Sequence, residues 1–100
     1  MKKIAIFGST GSIGSSLLKI IKDDQKNFKI ELLTANKNYK KLIKQVKFFN
    51  VKNIVLTDYS SFLIATKLLK NSKVKVFKNF NSLNKIFDIN KKIDYTMCAI

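Results

Sequence analysis

All three glycines of the chain fall in one short run, Gly8-Ser9-Thr10-Gly11-Ser12-Ile13-Gly14. Residues without side chains at this spacing suit the binding of a diphosphate. Gly8 allows a tight exit from a strand, Gly11 lets the backbone approach a pyrophosphate with no Cβ in the way, and Gly14 lets a following helix pack close to the sheet. A helix starting near Ser12 would present unpaired N–H groups and the positive end of its dipole, with the hydroxyls of Ser9, Thr10 and Ser12 as further donors. The G-x-x-G-x-x-G spacing is one residue longer between its first pair than the dinucleotide fingerprint G-x-G-x-x-G, with the same physical demands. No Gly-Lys-Ser/Thr follows, which disfavours a Walker P-loop. A glycine-rich turn without a ligand is the bland alternative.

The stretch after the second predicted strand bears on which dinucleotide would bind. An NAD-preferring site needs an acid there, about 20 residues past the glycine turn, to accept from the ribose 2′-OH. This chain has Thr34-Ala35-Asn36-Lys37-Asn38 instead, and its nearest acid, Glu31, is placed near the strand's beginning. An ammonium facing a 2′-phosphate gains a charge-assisted contact of about 1.5 to 3 kcal/mol. Lys37 therefore argues for NADP over NAD.

Other chemistries are excluded by what is missing. With no His and one Cys (Cys98), the chain can form neither a His/Cys zinc site nor a disulfide framework, and it lacks the means for Ser-His-Asp or Cys-His catalysis. Cys98 lies in the apolar stretch Tyr95 to Ile100 and reads as a buried, inert thiol, which fits a reducing compartment. The apolar run after Met1-Lys2-Lys3 breaks at Gly8, too early for a signal peptide, and no run approaches the ~20 residues of a membrane span. The chain reads as cytoplasmic, with no membrane partner.

A formal charge of +14 raises the question of nucleic acid. All 20 basic residues are Lys, however, and they are scattered as singles and doublets along the whole length. Arg, the groove-reading residue, is absent. Ten Asn and no Pro alongside them point to a composition bias and solvated lysine faces, with no nucleic-acid partner.

The elements that would position the turn follow from apolar spacing. Lys3–Phe7, Phe28–Ala35, Asn53–Thr57, Val74–Phe77 and Asp94–Ile100 read as strands. Helical spacing recurs in Ile13, Leu17, Leu18, Ile20 and Ile21; in Tyr39, Leu42, Ile43, Val46 and Phe49; in Phe62, Ala65, Leu68 and Leu69, capped by Ser60 or Ser61; and in Leu83, Ile86 and Phe87. Such alternation predicts α/β structure, a Rossmann-like doubly wound parallel sheet covered on both faces. Residues 1–100 read as a fragment of such a dinucleotide-binding domain, cut off after a core strand.

From Lys2 to Asn38 the chain resembles the N-terminus of the 1-deoxy-D-xylulose 5-phosphate reductoisomerases. The resemblance rests on Ile-Phe-Gly-Ser-Thr-Gly-Ser-Ile-Gly, then Phe28 and Leu-Thr-Ala-Asn-Lys-Asn. Met97-Cys98-Ala99-Ile100 resembles the family's strand ahead of a glycine-alanine turn, and the match between residues 40 and 92 is looser. Most related reductases carry Ala or Gly where Ser9 and Ser12 stand, which makes the string fairly specific.

The resemblance implies an NADPH-dependent enzyme of non-mevalonate isoprenoid biosynthesis, with residues 1–100 as the N-terminal part of its NADPH-binding Rossmann domain and the catalytic and C-terminal domains outside the chain. Such an enzyme rearranges 1-deoxy-D-xylulose 5-phosphate and reduces the aldehyde formed, giving 2-C-methyl-D-erythritol 4-phosphate. It also implies a divalent metal (magnesium, manganese or cobalt), a phosphosugar substrate and a homodimer. The family's NADPH contacts carry over to Thr10, Gly11, Ser12 and Ile13, and to Lys37 and Asn38. Asn36 joins them where the family often has Gly, Asn being tolerant of left-handed backbone. Metal ligands and substrate-phosphate site lie beyond Ile100 in the family, so no residue here is expected to be catalytic or to ligate metal. Two other classes remain: another NADP-dependent reductase, such as a semialdehyde dehydrogenase, and a non-enzymatic nucleotide-binding module.

Overall fold

The computed structural model describes residues 1–81 and 93–99. Its elements are β1 (Lys2–Phe7), α1 (Ser12–Lys22), β2 (Phe28–Ala35), α2 (Tyr39–Phe49), β3 (Asn53–Leu56), α3 (Tyr59–Leu68), β4 (Lys75–Phe77) and β5 (Tyr95–Cys98). The helix expected around Leu83, Ile86 and Phe87 lies outside the described residues, as does Ile100.

The five strands form one parallel sheet in the order β4-β3-β2-β1-β5. Parallel crossovers are right-handed, and β1 to β4 step in one direction, so α1, α2 and α3 fall on the same face. Leu18 and Ile21 of α1, Leu42, Ile43 and Val46 of α2, and Ala65 of α3 join Ile4, Ile6, Leu33, Ile54 and Leu56 in one apolar cluster there. On the opposite face Ala5, Leu32, Val55 and Phe77 form a second cluster with Phe7 and Ile93. Burial on both faces explains why Ile54-Val55-Leu56 is continuously apolar rather than alternating.

One irregularity keeps both clusters in phase. Ile4 pairs with Ile30 but Ala5 with Leu32, which leaves Glu31 as a bulge. The slip puts Ile30 and Leu33 on the same face although they are three residues apart. β5 lies on the far side of β1 from β2, so the winding direction reverses between β1 and β5. Open α/β sheets bind ligands outside the carboxyl ends of their strands at such a reversal. The architecture is α/β and Rossmann-like.

Four expectations change. The core stripe of α1 is Gly14, Leu18 and Ile21, while Ile20 is 66% exposed. The glycine occupies the first position of the stripe, where a count of apolar side chains passes over it. In α3 the cap is Asp58, whose carboxylate accepts from the Ser61 N–H at 3.1 Å, rather than Ser60 or Ser61. A carboxylate gains from the helix dipole as well as from the hydrogen bond. Leu68 of that helix is exposed and its neighbour Leu69 is buried. Finally, Cys98, expected to be buried, is exposed among the described residues, as are Tyr95 and Thr96 of the same strand. Among the described residues no helix is long and apolar enough to cross a membrane.

Candidate functional site

Gly8 ends β1 with φ 79°, a left-handed conformation that favours glycine. Its N–H is shared between the Thr34 carbonyl at 3.1 Å and the Thr34 hydroxyl at 3.0 Å, and the Ser9 N–H reaches the same carbonyl at 3.0 Å. The Gly11 N–H closes the turn on the Gly8 carbonyl at 3.3 Å. α1 follows, with its first turn closed by the Ser15 N–H on the Gly11 carbonyl at 2.9 Å.

Gly11 is the N-cap of α1, with no side-chain cap bond and no acidic residue in the first turn. The N–H groups of Ser12, Ile13 and Gly14 thus stand at a helix start that neither a carboxylate nor a capping side chain neutralises. Such an end suits an anion.

Gly11 and Gly14 answer to different demands. A Cβ on Gly14 would run into the Gly8 carbonyl oxygen and stand 2.6 Å from Ser9 Cα and 2.8 Å from Ser9 C, so α1 rests directly on the turn. A Cβ on Gly11 would meet only the Gly8 oxygen, at an ordinary 3.7 Å, and Gly11 has φ −76° and ψ 177°, which any residue adopts. The fold itself does not require glycine at position 11. The open space over it fits the close approach of a diphosphate.

Thr10 and Gly11 line a cavity of about 300 Å³ at the carboxyl ends of the strands, together with Gly8, Thr34, Ala35 and Asn36. Ser12 and Ile13 lie beside it, exposed on the first turn of α1. Asn36 stands where the family often has Gly but does not take a left-handed backbone, since Asn50 alone among the described non-glycine residues has positive φ. The end of β3 holds Asn36 instead: its Oδ1 accepts from Thr57 Oγ1 at 2.9 Å and its carbonyl from the Asp58 N–H at 3.1 Å. Asn38 Oδ1 caps α2 by accepting from the Lys41 N–H at 3.2 Å. Lys37 is exposed between them, its carbonyl accepting from the Tyr39 N–H at 2.8 Å and from Ser61 Oγ at 3.1 Å. Ser9, by contrast, is fully buried and its hydroxyl donates to Gln45 Oε1 at 2.8 Å, so it is no donor to a ligand.

Four residues not assigned to the site from the sequence also bear on it. Lys41 Nζ donates to the Thr10 carbonyl at 2.9 Å, and Gln45 Nε2 donates to the Ser9 carbonyl at 2.9 Å. Their spacing of four along α2 was a signal, since it puts two polar residues on one side of a helix otherwise read only for its apolar face. Asp58 and Ser61 come from the next unit of the fold. Asp58 brings a carboxylate close to Lys37, although no acid follows β2 in the sequence. Its carboxyl is held below the ordinary carboxylate range, first by the Ser61 hydroxyl, then by the Ser61 N–H, with the Lys37 charge contributing. Glu31 is engaged elsewhere, 3.4 Å from Lys29 Nζ.

A groove of about 320 Å³ between α1 and α2, over Leu18, Phe48 and Phe49, lies on the helical face rather than at the strand ends. Among the described residues no group of three or more His, Cys, Asp or Glu is placed to hold a metal ion.

Comparison with known proteins follows the same lines. A family model described as 1-deoxy-D-xylulose 5-phosphate reductoisomerase matches residues 4–100. A protein of that name from Pelagibacter ubique (strain HTCC1062) is 86% identical over 100 residues, which are all of this chain and 26% of the relative. One from Clostridium botulinum (strain 657 / Type Ba4) is 39% identical over 85 residues, covering 83% of this chain and 22% of the relative. The solved structure of the reductoisomerase from Zymomonas mobilis in complex with NADPH superposes with a TM-score of 0.84 at 31% identity, over 99% of this chain and 26% of that one. The chain therefore spans about a quarter of the length of the relatives it matches. With the family match running from residue 4 to residue 100, the chain belongs to the 1-deoxy-D-xylulose 5-phosphate reductoisomerase family.

Proposed function

We propose that this chain supplies the NADPH site of an enzyme that converts 1-deoxy-D-xylulose 5-phosphate to 2-C-methyl-D-erythritol 4-phosphate. The observation that carries the reading is the turn from Gly8 to Gly14, with its open position at Gly11 and its uncapped helix start, in a chain of this family. Thr10, Gly11, Ser12 and Ile13 are the residues we assign to the diphosphate, with main-chain N–H groups as donors. Asn36, Lys37 and Asn38 form the edge assigned to the adenosine ribose. Lys37 supplies the charge that meets a 2′-phosphate, and the bonds of Asn36 to Thr57 and Asp58 keep that edge in place. When bound, the cofactor supplies the hydride for the reduction.

The described residues offer no cluster fit to hold the divalent metal that belongs to this reading, so we derive no step through it. A phosphosugar substrate, homodimeric assembly and a cytoplasmic setting are carried over with the family. The test is fluorescence titration of the full-length protein with NADPH, followed by turnover with the phosphosugar. Saturable NADPH binding that is lost on blocking position 11 is expected, and absence of NADPH binding by the wild type overturns the reading.

A further inference from the structure

We propose that Gln45 is a positioning residue for the cofactor turn, acting through the Ser9 and Thr10 peptides together with Lys41, one helical turn away on α2. This rests on the NADPH reading above and adds a role for residues that line no part of the strand-end cavity.

The backbone groups of the turn are held one by one. The Gly8 carbonyl accepts from the Gly11 N–H at 3.3 Å, the Ser9 carbonyl from Gln45 Nε2 at 2.9 Å, and the Thr10 carbonyl from Lys41 Nζ at 2.9 Å. Ser9 Oγ closes a second bond to Gln45 Oε1 at 2.8 Å, so both ends of one amide are engaged by one fully buried residue. The Ser9 carbonyl sets which way the amide points: the Ser9 hydroxyl could pair with either end, but a flipped amide would put oxygen against oxygen at the carbonyl.

The consequence for an anion is geometric. In a trans peptide the C=O and N–H lie in one plane and point in opposite directions. Holding the Ser9 carbonyl toward α2 therefore turns the Thr10 N–H away from it, and holding the Thr10 carbonyl there leaves the Gly11 N–H closed on the Gly8 carbonyl. Carbonyl oxygens that could swing toward a diphosphate would repel it. Held as they are, the turn is set before the ligand arrives, and no binding energy goes into ordering it. Lys41 adds a positive charge behind the Thr10 carbonyl.

The test uses the full-length protein and two ligands. NADPH needs the diphosphate turn, whereas adenosine 2′-monophosphate carries only the phosphate assigned to the Lys37 edge. Gln45→Met keeps the side-chain length and removes both bonds to Ser9. Its NADPH Kd is expected to rise about tenfold, the equivalent of losing a little over one net hydrogen bond. Its Kd for adenosine 2′-monophosphate, read by displacement, and its KM for the phosphosugar should stay within about twofold of wild type.

Gln45→Glu, which retains an acceptor for Ser9 Oγ but loses the donor to the Ser9 carbonyl, should shift in the same direction and serves if Gln45→Met does not fold. An NADPH Kd within about twofold of wild type in the folded variant overturns the proposal. Equal weakening of both ligands does so too, since it would mean general damage. A wild type that binds neither ligand would instead sink the NADPH reading itself.

Discussion

The Ser61 hydroxyl stands 2.7 Å from Asp58 Oδ2 while the Ser61 N–H donates to the same oxygen at 3.1 Å. The hydroxyl also reaches the Lys37 carbonyl at 3.1 Å. One buried serine thereby links the start of α3 to the loop after β2, and so fixes the backbone from which Lys37 projects.

This arrangement makes α3 and the Lys37 loop sensitive to acid. The Asp58 carboxyl is held below its ordinary value, by the Ser61 hydroxyl most of all. A group depressed in the folded state stabilises the fold above its unfolded pKa, about 4 for a carboxyl, and loses that contribution as pH falls through the folded value. Asp58→Ala should melt below wild type at pH 7, and the gap should close in strong acid. Thermal melts at pH 7 and near pH 2 check this; a gap of constant size would contradict it.

Lys37 is expected to set the preference between cofactors. It is exposed beside the strand-end cavity, and the Asp58 carboxylate, whose charge it feels, is occupied at the helix start. In Lys37→Glu the charge-assisted contact is lost and a repulsion replaces it, so NADPH should weaken about tenfold or more. NADH, which has no 2′-phosphate, should change little. Parallel titrations with the two cofactors decide it, and equal losses would remove Lys37 from the site.

The parts of this site that were legible in the sequence are those set by local chemistry. The turn was readable because glycines at three positions have few other uses between a strand and a helix, and the alternation of apolar runs and helical spacings revealed the sheet. What escaped depends on contacts between residues far apart in the chain. Gln45 meets Ser9 across 36 positions and Ser61 meets Lys37 across 24, and neither pairing leaves a local pattern. Ser9 was misread as a ligand donor for the same reason, since its partner comes from another helix.

Asn50 offers a check on the fold apart from any ligand. It ends α2 with φ 56° and ψ 45°, left-handed geometry that costs side chains with a Cβ about 1 to 2 kcal/mol and that Asn tolerates better than most. Asn50→Gly should hold or raise stability, whereas Asn50→Val should lower it by about 1 kcal/mol or more. Denaturant unfolding of both variants checks the order, and a Val variant as stable as the Gly variant would contradict the left-handed cap.

Gly11 and Gly14 should separate folding from binding. Gly14→Ala puts a methyl group 2.6 Å from Ser9 Cα, against backbone that cannot rotate away as a side chain would. Overpacking of this kind costs about 1 to 3 kcal/mol, so this variant should lose stability, and NADPH affinity with it as α1 is pushed off the turn. Gly11→Ala meets nothing closer than 3.7 Å in a backbone conformation open to alanine, so its melting temperature should stay near that of wild type. The new methyl group does, however, stand where the diphosphate is expected to approach. A stable Gly11→Ala protein with weakened NADPH binding is the expected result. Normal NADPH binding by that variant would mean that the cofactor keeps its distance from Gly11 and that the open position serves something else.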